Sequence, residues 1–382
     1  AIAIAAPMPE LAPVTSTTLM MISLAAFTWY GVYNMTSTDC LHSLGWRHFF
    51  QSQLDADCPW LPARVLGVHR NRIDVAHAEG QLAIALSGKS AELSITVGDW
   101  VLVDPDGPQV RSRLERFGVF QRKAAGTGGE LQLIAANVDN LFIVTSANRD
   151  FNVARLERYL AIAYEAGAFP IIVITKADTV ETAEEFVSVA ARLSPGLLVE
   201  ALDARDPEAV EVLRRWCESG QSVALLGSSG VGKSTLINTL ARAGQQTRTV
   251  REDDQRGRHT TTSRSMHRMP NGGWLIDTPG MRELQLVHVG DALDAIFDDV
   301  ADHASRCRFS DCAHESEPGC AVIQAIEDCV LDPARLRRYK KLQNEDRRNS
   351  ESLAERRSRD KHLGKLYKSI LSGKRQEKEI GK

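Results

Sequence analysis

Runs of apolar residues separated by polar, glycine-containing segments occupy the middle of the chain. The run at residues 169–174 is continuous, which is typical of a strand buried on both faces of a parallel sheet. Residues 222–226 form a second such run, and residues 274–276 form a shorter third one. Residues 235–242 instead predict a helix. This pattern predicts a central α/β domain, a parallel sheet with helices on both faces and a binding site at the carboxyl ends of its strands.

Nearer the N-terminus the apolar segments are shorter and alternate with turn-forming residues. Candidate strands lie at residues 64–67, 73–75, 82–86 and 98–103. They predict a small antiparallel barrel of OB type. Such barrels commonly bind RNA, although few aromatic residues lie on these strands to stack on bases.

Charge is uneven along the 382 residues, which have a net charge of only −3. From Arg335 onward, Lys and Arg far outnumber the acids, with pairs such as Lys340-Lys341 and Arg356-Arg357. This basic tail suits contact with nucleic-acid phosphates, and the alternative is a solvated charged helix.

Residues 1–40 contain no Lys or Arg, so the basic flank of a secretory signal is missing there. We expect a disordered or atypical extension rather than a targeting or membrane segment.

Residues 227–234 read Gly-Ser-Ser-Gly-Val-Gly-Lys-Ser and lie between a predicted strand and a predicted helix. Strand, glycine-rich loop and helix together predict a phosphate-binding loop, because backbone N–H groups and the helix N-terminus can face phosphate oxygens. Lys233 is expected at the β- and γ-phosphates, and the Ser234 hydroxyl at Mg²⁺. The predicted phosphate-binding residues are Gly227, Ser228, Ser229, Gly230, Val231, Gly232, Lys233, Ser234 and Thr235.

Two further segments suit the same site. Asp277 and Gly280, in the motif Asp-Thr-Pro-Gly, follow a strand-like run, so Asp277 can hold Mg²⁺ through water and the Gly280 N–H can meet the γ-phosphate. The polar segment at residues 257–262, Gly-Arg-His-Thr-Thr-Thr, suits a switch loop that becomes ordered when a Thr reaches Mg²⁺. Thr261 is the candidate ligand, although spacing does not distinguish it from Thr260 or Thr262.

A guanine-binding motif, Thr175-Lys176-Ala177-Asp178, follows the strand predicted at residues 169–174. The Asp178 carboxylate can accept hydrogen bonds from guanine N1–H and N2–H₂, donors that adenine lacks. Thr175 replaces the Asn that most GTPases carry. This motif precedes the phosphate loop, the reverse of the usual GTPase order, which indicates a circular permutation. Residues 199–202 are the candidate for the further element that backs the base.

Cys307, Cys312, His314 and Cys320 form the pattern Cys-x₄-Cys-x-His-x₅-Cys in a polar stretch. Three thiolates and an imidazole suit one tetrahedral, structural Zn²⁺. Cys329 is excluded because it falls in a helix predicted at residues 321–330. A zinc-type cluster without an export signal predicts a cytoplasmic protein.

The motif order, the barrel and the zinc cluster together resemble the RsgA (YjeQ) family of small-ribosomal-subunit-dependent GTPases. Leu44-Gly-Trp46, Ala136-Asn-Val-Asp139, Arg158-Tyr159, residues 257–262 and the four zinc ligands carry the resemblance, which runs from about Leu41 to the C-terminus. It implies a cytoplasmic monomer that binds GTP and GDP and acts late in small-subunit assembly. The barrel and zinc domain would contact rRNA, and GTP hydrolysis would be coupled to release of the protein itself and of an assembly factor.

The resemblance divides the chain into an extension (1–40), an OB-fold RNA-binding domain (41–117), a circularly permuted GTPase domain (118–290) and an α-helical zinc domain with a basic tail (291–382). Met281 follows Gly280, where many GTPases place a water-orienting Gln. His259 is therefore the candidate catalytic residue.

Three other functions remain open from the residues. A permuted GTPase of the large subunit would typically have Asn at the position of Gly230 and lack the zinc cluster. An RNA-binding scaffold with a vestigial nucleotide site would not need Lys233, Ser234 and Asp277. An ATP-using enzyme would not need Asp178.

Overall fold

The computed structural model describes residues 37–123, 131–242, 264–277, 281, 284–287 and 289–350. The strands are β1 (Leu61–Val68), β2 (Arg72–His77), β3 (Gly80–Ala85), β4 (Trp100–Val103), β5 (Val110–Arg113), β6 (Val119–Lys123), β7 (Leu131–Ala136), β8 (Asn140–Ser146), β9 (Phe169–Thr175), β10 (Leu198–Ala201), β11 (Ser222–Leu226), β12 (Arg264–Arg268) and β13 (Trp274–Asp277). The helices are α1 (Ser37–Ser43), α2 (His48–Gln51), α3 (Val153–Glu165), α4 (Ala183–Ala191), α5 (Pro207–Val210), α6 (Lys233–Arg242), α7 (Gly290–Ile296), α8 (Asp298–Ala304), α9 (Ala321–Glu327) and α10 (Pro333–Ser350).

The central part of the sheet has the strand order β10-β9-β8-β11-β13-β12. The first five of these strands are parallel, as predicted, whereas β12 runs antiparallel to β13. Alternate residues of β8 face opposite sides: Leu141 and Ile143 pack in one cluster with α3, and Phe142 and Val144 in another with α6. Helices therefore cover both faces, and the carboxyl ends of the parallel strands meet at one edge.

The N-terminal strands form the predicted barrel-like unit. β1 pairs antiparallel with both β2 and β4, while β3 extends from β2 and β5 extends from β4. Each of these strands contributes small, mostly β-branched side chains to one apolar core, which suits a tightly curved sheet. That core consists of Ala63, Val65, Ile73, Val75, Ile84, Val101, Val103 and Val110.

The barrel and the central strands belong to a single hydrogen-bonded sheet. β1 pairs antiparallel with β12 through Gly67 opposite Ser265 and Val68 opposite Arg264. The prediction of a separate central sheet missed this connection. It joins the barrel to the strand that follows the predicted switch loop.

Arg64 on β1 strengthens this junction from inside the protein. Its side chain is 1% exposed, and burial lowers its pKa to about 10. The guanidinium donates to the carbonyl oxygens of Leu44 and Asn137 and to the Ser222 hydroxyl. Because these acceptors come from three separate segments, one buried cation ties the chain before the barrel, the barrel itself and strand β11 together.

Helices α7 to α10 pack against α3 and the core beside it. Ile296, Phe297, Leu336 and Tyr339 are buried in the same cluster as Leu160 of α3. The helix predicted at residues 321–330 ends at Glu327, so the expectation that Cys329 lies in a helix is wrong; its φ is +59° and its side chain is exposed. Among the described residues, none of the helices has the length and apolar character needed to cross a bilayer.

Candidate nucleotide site and metal centre

The predicted phosphate loop connects β11 to α6 at the carboxyl edge of the sheet. Gly230 and Gly232 have φ values of +81° and +90°, in the left-handed region that side chains disfavour. A Cβ atom on Gly227 would lie 2.2 Å from the carbonyl oxygen of Val144, so the loop can pack on β8 only with glycine there. The Lys233 ammonium donates to the Gly227 carbonyl oxygen at 2.7 Å and also to that of Ser228.

The guanine motif and the phosphate loop contact each other directly, although about fifty residues separate them. The Thr175 hydroxyl lies 2.6 Å from the carbonyl oxygen of Val231 and 3.0 Å from that of Thr145, and its single hydrogen can be donated to the nearer oxygen, that of Val231. The Lys176 ammonium donates to the Gly230 carbonyl oxygen at 3.0 Å. Thr175 stands where most GTPases have Asn. Its hydroxyl still provides a hydrogen-bond donor that links the guanine motif to the phosphate loop.

Asp178 lies in a short 3₁₀ turn that begins immediately after Lys176, which has a left-handed φ of +58°. The Asp178 carboxylate accepts a hydrogen bond at 2.7 Å from the guanidinium of Arg205. Arg205 also binds the Asp203 carboxylate through its Nε at 3.0 Å. Hydrogen bonds from Arg205 lower the pKa of Asp203.

Arg205 is therefore a candidate site residue that the sequence prediction missed. The predicted element at residues 199–202 forms most of strand β10, but the contact with Asp178 comes from the turn just after it. Asp206 ends this turn by capping α5 through Glu208 N–H. The signal available in the sequence was Asp203-Ala-Arg205, a charged pair between a strand and a helix cap.

Ser234 and Thr235 lie in the first turn of α6, and Asp277 is the last residue of β13. Ile276 pairs with Ala224 of β11, so the next residue, Asp277, lies beside the strand that leads into the phosphate loop, and it pairs with Ser265 of β12 on its other side. A hydroxyl and a carboxylate are oxygen donors of the kind that Mg²⁺ prefers. Gly280, His259 and Thr260 to Thr262 lie outside the described residues, whereas Met281 is described and buried.

The four predicted zinc ligands are brought together between α8 and α9. Their ligand atoms all lie within 4.8 Å of one another. His314 Nδ1 is 3.6 Å from Cys307 Sγ and 3.4 Å from Cys320 Sγ, and the two sulfur atoms are 3.9 Å apart. A tetrahedral zinc site with Zn–S bonds of about 2.3 Å has sulfur–sulfur edges of roughly 3.8 Å. The donor set and its spacing therefore fit zinc.

The ionisation state of the imidazole also suits a metal ligand. Burial, together with the nearby Lys340 ammonium, lowers the pKa of His314. The ring is consequently neutral near pH 7 and has a lone pair available for a metal. Cys320 additionally caps α9, because its sulfur accepts from the Ile323 N–H at 3.4 Å.

The sequence of this chain matches a known family and its curated members. The family model described as RsgA GTPase matches residues 113–287. A protein of Mesorhizobium japonicum named small ribosomal subunit biogenesis GTPase RsgA is 50% identical over 319 residues, covering 82% of this chain and 92% of that protein. The chain belongs to the RsgA GTPase family. A second relative, RsgA 2 of Vibrio parahaemolyticus, is 46% identical over 90% of this chain and 96% of its own length.

Solved structures agree with this membership in the RsgA family. YjeQ from Thermotoga maritima superposes with a TM-score of 0.57 at 25% identity, covering 74% of this chain and 97% of that one. YloQ, described as a circularly permuted GTPase, has a TM-score of 0.54 at 23% identity, covers 77% of this chain and 97% of its own, and supports the fold alone. The mixed α/β architecture of this chain is thus shared with both solved structures.

Proposed function

We propose that this chain hydrolyses GTP to GDP and phosphate in the biogenesis of the small ribosomal subunit. The observation that carries the proposal is the direct contact between the guanine motif and the phosphate loop, made by Thr175 with Val231 and by Lys176 with Gly230. These contacts bring a base-reading carboxylate, Asp178, to the loop expected to hold the phosphates. The name shared by the curated relatives supports the biological process.

The described residues have distinct roles in this proposal. Backbone N–H groups of residues 227–235 bind phosphate oxygens, and Lys233 neutralises charge at the β- and γ-phosphates. Ser234, Asp277 and Thr261 would hold Mg²⁺, which supplies positive charge to the phosphates when it is bound. Asp178 selects guanine, and the Gly280 N–H meets the γ-phosphate.

Water activation is assigned to His259 in the switch loop. Met281 occupies the position after Gly280, and its buried side chain has no hydrogen-bond donor and only a weakly accepting sulfur with which to orient a water molecule. Basal turnover is consequently slow. A histidine can orient or deprotonate water near neutral pH, provided that the ribosomal subunit places it correctly.

We further propose that rRNA is contacted from two sides of the molecule. Arg70, in the turn between β1 and β2, and Arg72, the first residue of β2, are both exposed, and OB-type barrels often bind nucleic acid through this loop. Arg337, Lys341 and Arg348 are exposed on α10 at helical spacing. These cations can neutralise phosphates. GTP hydrolysis would then be coupled to release of this protein and of an assembly factor from the small subunit. The protein would act as a monomer in the cytoplasm. Its domains would have the bounds predicted from the sequence.

A structural Zn²⁺ held by Cys307, Cys312, His314 and Cys320 completes the proposal. All four positions of a tetrahedron are filled by protein donors, so the ion would stabilise the fold of this region and take no part in GTP hydrolysis. Metal analysis of the purified chain tests this directly. One zinc per chain is expected, and a chain purified without chelators that contains none would refute the assignment.

GTP turnover by the full chain, alone and with small ribosomal subunits, tests the function. Large subunits serve as the control. Slow basal turnover that rises only with small subunits is the expected result. Stimulation by large subunits, or by neither, would overturn the small-subunit assignment, while failure to bind GTP or GDP would overturn the GTPase assignment itself.

A further inference from the structure

The loop that contains His314 has an unusual backbone for a metal-ligand loop. Between Cys312 and Cys320 the chain forms neither helix nor strand. His314 itself has a φ of +55°, which is uncommon for a residue with a side chain. Such a conformation costs free energy, so neighbouring groups must hold it in place.

The Glu317 carboxylate organises this loop from within. One of its oxygens accepts from the Ala313 N–H at 2.9 Å. The other accepts from the Glu315 N–H at 2.8 Å and the Ser316 N–H at 3.0 Å. Ala313 and Glu315 are the residues on either side of His314, so a single carboxylate clamps both flanks of the ligand.

The lowered pKa of the Glu317 carboxyl group reflects the strength of these hydrogen bonds. Hydrogen bonds from backbone N–H groups, that of Glu315 foremost, lower the pKa of Glu317 to about 2. The carboxylate is therefore charged at any pH at which His314 and the thiolates can bind metal. Charge-assisted hydrogen bonds of this kind are stronger than those between neutral groups.

A second anchor holds the other side of the ligand's backbone. The Lys340 ammonium of α10 donates to the His314 carbonyl oxygen at 2.9 Å. The backbone around His314 is thus fixed through its flanking N–H groups by Glu317 and through its carbonyl group by α10. Only the carboxylate belongs to the ligand loop itself.

We propose that Glu317 is a positioning residue for the Cys₃His site, setting the loop in the metal-binding conformation so that His314 Nδ1 faces the cysteine sulfurs. This inference rests on the zinc assignment proposed above. Outer groups that orient metal ligands typically change metal affinity by about 10- to 100-fold when removed. The effect should appear in zinc affinity and in the order of the loop.

Zinc affinity of the full chain, measured by competition with a chromophoric chelator, tests the proposal. Glu317→Ala should weaken zinc binding by about 10- to 100-fold. Glu317→Gln keeps an acceptor oxygen and should lose less, whereas Glu317→Asp, whose carboxylate is one methylene shorter, should resemble the Ala variant. Glu315→Gln is the matched control, because that side chain belongs to the same loop and contacts Lys340 at 3.7 Å. It should stay within about twofold of the unmodified chain, well below the expected effect.

Hydrogen exchange of the zinc-free protein separates positioning from general loss of structure. In the unmodified chain, the peptide that includes residues 313–316 should be protected without metal, and Glu317→Ala should remove that protection there while α9 and α10 keep theirs. Equal zinc affinity of Glu317→Ala and the unmodified chain would overturn the positioning role. Absence of zinc binding by the unmodified chain would instead overturn the zinc assignment on which it rests.

Discussion

Arg335 of α10 donates a hydrogen bond at 3.0 Å to Glu157 of α3, and the Glu157 side chain is completely buried. Arg338 donates to both oxygens of the same carboxylate, at 3.0 Å and 2.8 Å. Arg335 also reaches the carbonyl oxygens of Leu193 and Ile296. The last described helix is therefore joined to the nucleotide-binding half of the molecule by buried charges.

Replacing Glu157 with Ala should strongly destabilise this junction, because it leaves two arginines without their shared partner. Breaking a buried ion pair from one side typically lowers the free energy of unfolding by about 3–5 kcal/mol. Urea denaturation followed by circular dichroism measures the loss. Glu200→Ala is the matched control, since its pair with Arg215 is exposed and should contribute only about 0–1 kcal/mol. Similar losses for the two variants would contradict the importance of the buried cluster.

Asp178→Asn should weaken GDP binding and reduce the preference for guanine. The variant loses charge-assisted acceptance from guanine N1–H and N2–H₂, which corresponds to about 10- to 100-fold in affinity. Fluorescent GDP displacement by unlabelled GDP and ADP measures both quantities. Glu181→Gln removes an exposed carboxylate three residues along the chain and should leave both unchanged. If Asp178→Asn keeps the original affinity and preference, Asp178 does not read the base.

His259→Ala should leave GDP affinity intact and lower turnover with small subunits by about 10²- to 10⁴-fold, the usual contribution of general acid–base catalysis. Lys233→Ala should lower both nucleotide affinity and turnover, since its ammonium already lies within the phosphate loop. Single-turnover GTP hydrolysis beside equilibrium GDP titration distinguishes the two variants. Normal stimulated turnover in His259→Ala would remove this histidine from the mechanism.

Cys217 should resist alkylation in the folded protein, whereas Cys329 should react. Burial raises the pKa of the Cys217 thiol to about 12, so near pH 8 only about one molecule in 10⁴ carries the reactive thiolate. Cys329 is exposed. Iodoacetamide labelling at pH 8, mapped by mass spectrometry before and after denaturation, checks both thiols. Rapid labelling of Cys217 without denaturant would show that the core around it opens readily.

The parts of the fold that depend on local pattern were predictable. Strand β11 has the bounds 222–226 expected from its apolar run, and the phosphate loop follows it directly. The zinc ligands are close in sequence, so their spacing alone indicated a shared site. In both cases the residues that define the feature are neighbours along the chain.

Features that depend on distant partners were not predictable. β12 has only one buried residue, Met266, and therefore no apolar run to reveal a strand. Its place in the sheet comes from backbone pairing with β1 and β13 on either side. Glu157 and Arg335 are far apart in sequence, and a charged residue in a helix is normally expected to be exposed. Arg205 was missed although its pair with Asp203 is visible in the sequence, since only the folded chain brings it to Asp178.

The pairing of β1 with β12 bears on how this protein can be divided for experiments. Cutting the chain between the barrel and the nucleotide-binding strands would leave β12 as an open edge, because Ser265 and Arg264 would lose their pairing with β1 while β12 kept its pairing with β13. Exposed edges of this kind invite pairing with other molecules and aggregation. Excision would also leave the Ser222 hydroxyl and the Asn137 carbonyl oxygen without the Arg64 donor. If such a fragment were insoluble or inactive, the cause would be the disrupted sheet rather than the loss of an RNA contact. Point substitutions on the barrel surface therefore test RNA binding better than removal of the barrel.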